Sequence, residues 1–205
     1  MKQFLLLANL IFFTGFAFAD EPKPAKVDAP LPEGWPEPTQ PGVIEIKDVP
    51  AYRSAMVQTD GDADQADNKL FWQLFTHIKL KQIAMTAPVI STYPTDEETE
   101  RLATMEFLYR RLSQGETGAG VGAVKVEDHA AETVVALGIQ GGAEKAIYDD
   151  GIAKLQAWLK DHPEWKATGT PRRLGYHGPM TPKAKRLWEV QIPVEKQSAT
   201  SENDS

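Results

Sequence analysis

Apolar and charged positions alternate along Ile44-Glu45-Ile46-Lys47-Asp48-Val49, the signature of a half-buried strand. The pattern returns about 80 residues later as Val124-Lys125-Val126-Glu127-Asp128. Both copies reach an Asp and place an Ala three positions beyond it, at Ala51 and Ala131. Each then enters a second apolar segment, Tyr52 to Val57 in the first and Thr133 to Ile139 in the second. A helix follows in both. Asp67 or Asn68 can cap the first, and its Phe71, Leu74, Phe75 and Ile78 recur at helical spacing. Tyr148, Ile152, Leu155 and Leu159 form the stripe of the second, which Pro163 ends. Next come short proline-bearing segments, Met85-Thr86-Ala87-Pro88 and Tyr176-His177-Gly178-Pro179. Each copy closes on an alternating strand, with Met105, Phe107 and Tyr109 on one face of the first and Trp188, Val190, Ile192 and Val194 on one face of the second.

The pattern therefore predicts strand, strand, helix, strand, strand, performed twice, over residues 43–113 and 124–194. Gln114 to Ala123, with four glycines, joins the halves. Either half alone would leave a sheet face and a helix stripe uncovered. Pairing them about a pseudo-twofold axis buries both, giving an α+β sheet or open barrel flanked by two main helices.

The ends read differently. Lys2, the apolar run Phe4 to Phe18 and the small-x-small Ala17-Phe18-Ala19 predict a cleaved signal peptide over residues 1–19. The expectation is an exported protein, periplasmic in a Gram-negative bacterium and secreted otherwise, with no stable membrane span after cleavage. Residues 20–42 hold seven prolines, at positions 22, 24, 30, 32, 36, 38 and 41, which exclude helix and central strand. This is a proline-rich arm or linker, and its Trp35 suggests that it packs back on the domain. Residues 195–205 are polar and predict a disordered tail. The chain has no Cys, so its core must hold it together without disulfides. Its net charge of −7 argues against nucleic acid, which needs clustered Lys and Arg.

Three ordered motifs carry a resemblance. Ile83-Ala84-Met85-Thr86-Ala87-Pro88-Val89 resembles the Met-Thr-Ala-Pro-Val signature of the SOUL heme-binding family, and Phe71-Trp72-Gln73-Leu74-Phe75-Thr76-His77-Ile78 resembles the helix preceding it there. Gly175-Tyr176-His177-Gly178-Pro179 through Trp188-Glu189-Val190 resembles the closing block, although that family usually reads Glu-Val-Trp. The match runs from about Val43 to Val194. The resemblance implies a distorted antiparallel β-barrel of two α/β repeats and noncovalent binding of heme or another tetrapyrrole. The same fold is similar to effector-binding domains of bacterial regulators, so fold alone does not name the ligand.

A heme site needs an apolar slot, cations near the propionates and, optionally, an axial ligand. His77 on the first helix and His177 in the Tyr-x-x-Pro turn are the candidate iron ligands. Each also has a plainer role, His77 at a helix C-terminus and His177 in a loop. His129 serves a turn and His162 a helix cap in the simplest reading. Phe71, Phe75 and Tyr176 can stack on a porphyrin or fill the core, and Met85 can donate a thioether or pack. Lys183, Lys185 and Arg186 can meet propionates or form a solvated loop. Asp60 to Asp67 begins like a calcium loop but has Gln65 at the sixth position and Phe71 at the twelfth, so a solvated loop is expected. The glycines from Gly115 to Gly122 make no phosphate cradle, and no catalytic motif stands out. The expectation is a monomeric or weakly dimeric carrier, buffer or scavenger of heme, and not an enzyme. The alternatives are a domain for another apolar ligand, a protein-interaction module, or an enzyme acting on a tetrapyrrole.

Overall fold

The structure is a computed structural model that describes residues 26–59, 63–93 and 103–197. The first half of the domain supplies β1 (Ile44–Val49), β2 (Tyr52–Thr59), α1 (Ala63–Leu80), β3 (Val89–Thr92) and β4 (Ala103–Leu108). The second supplies β5 (Gly118–Ala119), β6 (Lys125–His129), β7 (Glu132–Gln140), α2 (Lys145–Asp161), β8 (Trp165–Ala167), β9 (Arg172–Gly175) and β10 (Leu187–Lys196). The expected strands and helices all form. The short strands β5 and β8 are additions, β5 inside the glycine-rich joint. α1 starts at Ala63, so Asp67 and Asn68 lie within it instead of capping it. Asp60, Gly61 and Asp62, and the side chains that would complete a calcium loop, lie outside the described residues.

All strand pairs are antiparallel, in the order β1-β7-β10-β9-β3-β4-β2-β6-β5, with β8 on β10. Exchanging β1 with β6, β2 with β7, β3 with β9 and β4 with β10 turns the main path from β1 to β6 into its own reverse. At the centre, Ile90 of β3 faces Leu174 of β9. Among the described residues the ladder ends at β1 and β5, so the sheet is open and not a closed barrel.

Side-chain alternation sorts the apolar residues onto two faces. On one face α1 buries Leu70, Leu74 and Ile78 against Val57, Met105, Phe107 and Val126. On the same face α2 covers Val135, Leu137, Trp188, Val190 and Ile192 with Tyr148 and Leu155. The opposite face carries Val49, Tyr52, Ile90, Leu108, Val134 and Leu174, and the proline-rich arm covers it. Val27, Ala29 and Leu31 pack there, and Trp35 is buried with its ring edge-on to Tyr52 at 5.3 Å.

The arm is held by backbone bonds that respect its prolines. Pro30 has no N–H but accepts from Ala87 at 3.1 Å, and Glu33 N–H donates to the Arg110 carbonyl at 3.0 Å. Farther on, the arm crosses β7 at Gly138, where a Cβ would stand 2.3 Å from the Thr39 carbonyl. Only glycine admits that approach. β10 continues to Lys196, beyond the expected domain limit at Val194, because Glu195 and Lys196 pair with β8. No helix among the described residues is long and apolar enough to cross a membrane.

The arm is thus part of the core. Trp35→Ala is expected to cost about 3 kcal/mol or more in denaturant unfolding, as for other buried aromatic truncations. A loss under about 0.5 kcal/mol, typical of surface changes, would show that the arm only lies on the surface.

Candidate ligand-binding surface

Three of the residues read from the sequence as ligand contacts come together beside α1. Phe71 and Phe75 lie at the edge of its buried stripe, their rings stacked with centroids 6.0 Å apart. Phe71 also meets Phe107 edge-on at 5.1 Å. Ile83, Met85 and Val89 pack, partly buried, against the same cluster. Trp72 continues this aromatic group outward, edge-on to Phe71 at 5.8 Å and to Phe75 at 5.5 Å, and it remains 56% exposed. Lys79 places its ammonium 5.2 Å from the Phe75 ring centroid. Neither Trp72 nor Lys79 is marked as a contact by sequence alone. The available signal was that Trp72 is a large aromatic next to Phe71 yet outside the buried stripe.

His77 points elsewhere. It is 1% exposed, and Val121 N–H donates to its Nδ1 at 3.1 Å. That bond puts the neutral ring's proton on Nε2, which donates to the Tyr109 hydroxyl at 2.9 Å. His77 therefore ties α1 to the end of β4 and to the loop before β6. Burial, with the Lys81 charge second, holds its pKa below the ordinary 6.5.

The Tyr-x-x-Pro turn lies on the arm side, apart from the aromatic group. Leu187 N–H donates to His177 Nδ1 at 3.0 Å, and His177 Nε2 donates to the Lys26 carbonyl at 2.9 Å. Neither His77 nor His177 thus offers a free ring nitrogen to an iron. Asp28 of the arm accepts from Gly178 N–H at 2.7 Å and from the Thr181 hydroxyl at 2.9 Å, which holds its pKa below the ordinary value. Tyr176 is buried in the cluster under the arm, where burial, with the Glu189 charge second, pushes its hydroxyl pKa up.

The basic residues after the turn are largely committed to structure. Lys183 pairs with Glu144. Arg186 donates to the Thr181 and Pro179 carbonyls at 2.8 and 2.9 Å, which holds the turn closed. Lys185 stands exposed on a short 3₁₀ turn. The remaining histidines also serve structure. His129 lies 2.9 Å from Ser54 Oγ and stacks on Tyr52. The His162 backbone N–H bonds to the Leu159 carbonyl at the α2 C-cap, and its ring stacks on Trp158.

Beneath the arm lies a polar network that no local pattern in the sequence marks. Glu189 is 0% exposed. Its Oε1 accepts from Lys47 Nζ at 2.9 Å and from Thr39 N–H at 2.5 Å, and its Oε2 accepts from Gln191 at 2.7 Å. Arg172 continues the chain, donating to Gln191 Oε1 at 3.0 Å and pairing with Glu132 at 2.7 Å.

The family model described as SOUL heme-binding protein matches residues 37–193. The chain belongs to the SOUL heme-binding protein family. The SOUL match takes in α1, the Met-Thr-Ala-Pro segment and the closing strands. In that segment Thr86 is buried and donates to the Leu108 carbonyl at 2.6 Å. A comparison with curated proteins found no match. Among solved structures, the C-terminal domain of EcmrR is similar at 19% identity and a TM-score of 0.61, over 76% of this chain and 98% of that one. EcmrR in its DNA complex gives 16% identity and a TM-score of 0.61 over 76% of this chain, which spans 58% of the longer EcmrR chain. A hydrolase from Listeria innocua follows at 15% identity and a TM-score of 0.56, over 77% of this chain and 94% of that one. At these identities the likeness concerns the fold alone.

Two outcomes test this reading. Because the folded-state pKa of His77 lies below 6.5, the unfolded chain takes up the proton first as pH falls. Its contribution to stability is therefore complete above about pH 6.5 and is lost as pH drops through the folded value. Denaturant unfolding from pH 8 to about pH 5 should show that decline, and His77→Gln should flatten it. Separately, Lys47→Met should cost about 3–5 kcal/mol, since it strands the Glu189 carboxylate. Adding Glu189→Gln to it should recover part of the loss.

Proposed function

We propose that this protein binds heme or a related tetrapyrrole without a covalent bond and acts as an exported carrier, buffer or scavenger. The observation that carries the reading is the half-exposed aromatic face of α1 in a chain of the SOUL family. Trp72, Phe71 and Phe75 present adjoining rings at the surface, and Met85 and Ile83 extend the apolar area beside them. Exposed apolar area of this kind is unfavourable in water unless something covers it. A flat, largely apolar macrocycle suits it, because it buries ring faces at little conformational cost. Lys79 at the rim supplies a cation for a propionate, with Lys81 one residue past the helix.

The group fits this surface as an apolar ligand rather than as a ligated metal. His77 and His177 would each have to abandon two hydrogen bonds to reach an iron. We therefore place the binding energy in ring contact and charge, with the bound iron, if iron is present, supplying whatever redox chemistry the complex has. Tyr176, His177, Lys183 and Arg186 act in this reading as supports of the arm-side turn. The two halves are read as pseudo-twofold copies, a view supported by the reversible strand order. Export rests on residues 1–19, which lie outside the described residues.

Heme titration of the purified protein, followed at the Soret band, tests the reading. Saturable one-to-one binding is expected. Trp72→Ala and Phe75→Ala should each weaken it about tenfold, the upper range for an aromatic contact. His77→Ala and His177→Ala should leave the Soret maximum in place. A maximum that moves in either histidine variant would assign an axial ligand instead, and absence of saturable binding at micromolar heme would sink the tetrapyrrole reading.

A further inference from the structure

A cleft of about 480 Å³ opens on a different side of the molecule, where the arm, the β1–β2 turn and the loop after β4 meet. This is within the roughly 300–1,000 Å³ common to small-molecule sites. Pro32 of the arm, Pro50 of the turn and Leu112 of the loop give it apolar walls, and Leu112 is 43% exposed. Its charged lining is Glu33, Arg110 and Arg111. Arg111 Nε donates to Glu33 Oε1 at 2.6 Å, so that pair is mutually neutral.

Arg110 is different. Its backbone is fixed at both polar atoms, N–H to Gln114 Oε1 at 3.1 Å and carbonyl from Glu33 N–H at 3.0 Å. Its guanidinium has neither an ion pair nor a hydrogen bond among the described residues. The cleft thus holds one uncompensated cation on an anchored backbone, beside apolar walls. A guanidinium fork matches a carboxylate in shape, and one excess positive charge favours a monoanion over a dianion.

We propose that this cleft binds a small amphipathic monoanion, a carboxylate on an apolar body of one or two rings. The carboxylate sits on Arg110, and the body lies against Pro32, Pro50 and Leu112. The arm supplies one wall, so the site exists only when the arm is folded onto the sheet. The cleft shares no lining residue with the aromatic face of α1, and the proposal does not depend on tetrapyrrole binding.

The test is calorimetric titration of the full-length protein with 2-naphthoate, beside its neutral analogue 2-naphthamide. Saturable one-to-one binding of naphthoate is expected, with naphthamide about tenfold weaker, the difference one charge-assisted hydrogen bond makes. Arg110→Ala should weaken naphthoate by a similar factor. Glu33→Gln should tighten it severalfold by releasing Arg111, a gain that misfolding cannot mimic. Trp72→Ala should leave it unchanged. The proposal is overturned if naphthoate fails to saturate or the amide binds as well as the acid. It is also overturned if Arg110→Ala has no effect, if Glu33→Gln fails to tighten binding, or if Trp72→Ala abolishes it.

Discussion

Glu189 sits near the start of β10 with no access to water, and the surroundings of its carboxylate organise much of the molecule. A buried charge without partners is costly enough to undo a fold of ordinary stability. Here three segments meet it: Lys47 from β1, Gln191 from its own strand and the backbone N–H of Thr39 from the arm. Lys47 in turn donates to the Glu37 carbonyl and the Thr39 hydroxyl. The edge strand β1, strand β10 and the arm are thereby fixed to one another through a single carboxylate. The close passage over Gly138 is what brings Thr39 near enough to serve it.

This arrangement explains how the two sheet faces divide their roles. Both helices cover one face with apolar stripes. The other face would be left with Glu189, Arg172, Ser54 and Glu106 beside Ile90 and Leu174, a mixture that water could reach but not satisfy apolar neighbours. The arm closes it with short apolar side chains, one tryptophan and backbone carbonyls that its prolines leave free to accept. The candidate ligand residues of the closing turn on that side are consequently spent on structure. The His177 ring holds the arm at Lys26 and the chain at Leu187, and Arg186 holds the turn between them.

On the helix-covered face, the side of α1 that the core does not need remains available at the surface. Phe71 and Phe75 bridge inside and outside, and Trp72 lies beyond them in solvent. Aromatic rings so placed suit a flat apolar partner without any contribution from the histidines. The position agrees with the SOUL motifs, since the helix and the Met-Thr-Ala-Pro segment that carry the family signature frame this same patch.

The alternating strands, the helical stripe Phe71, Leu74, Phe75 and Ile78, the stop at Pro163 and the family signature were all legible along the chain, because each is a local or periodic property; that Leu70 is buried while Phe71 and Phe75 stay half-exposed was not. Hydrophobic pattern alone determined that Met105, Phe107 and Tyr109 share one face of their strand and that Trp188, Val190, Ile192 and Val194 share one face of theirs, while the fold decided which helix covers each. Pairing across long separations was not legible. Nothing local distinguishes Lys47 and Glu189 from solvated charges, and they become partners only because β1 and β10 flank the same strand, β7. His77 and His177 likewise look available in one dimension. Only the folded chain brings Val121, Tyr109, Leu187 and Lys26 to their ring nitrogens. Sequence thus determined which residues turn inward, since that follows from spacing and polarity. Tertiary structure decided which polar groups were left for a ligand, because a hydrogen bond belongs to two groups and the sequence shows only one at a time.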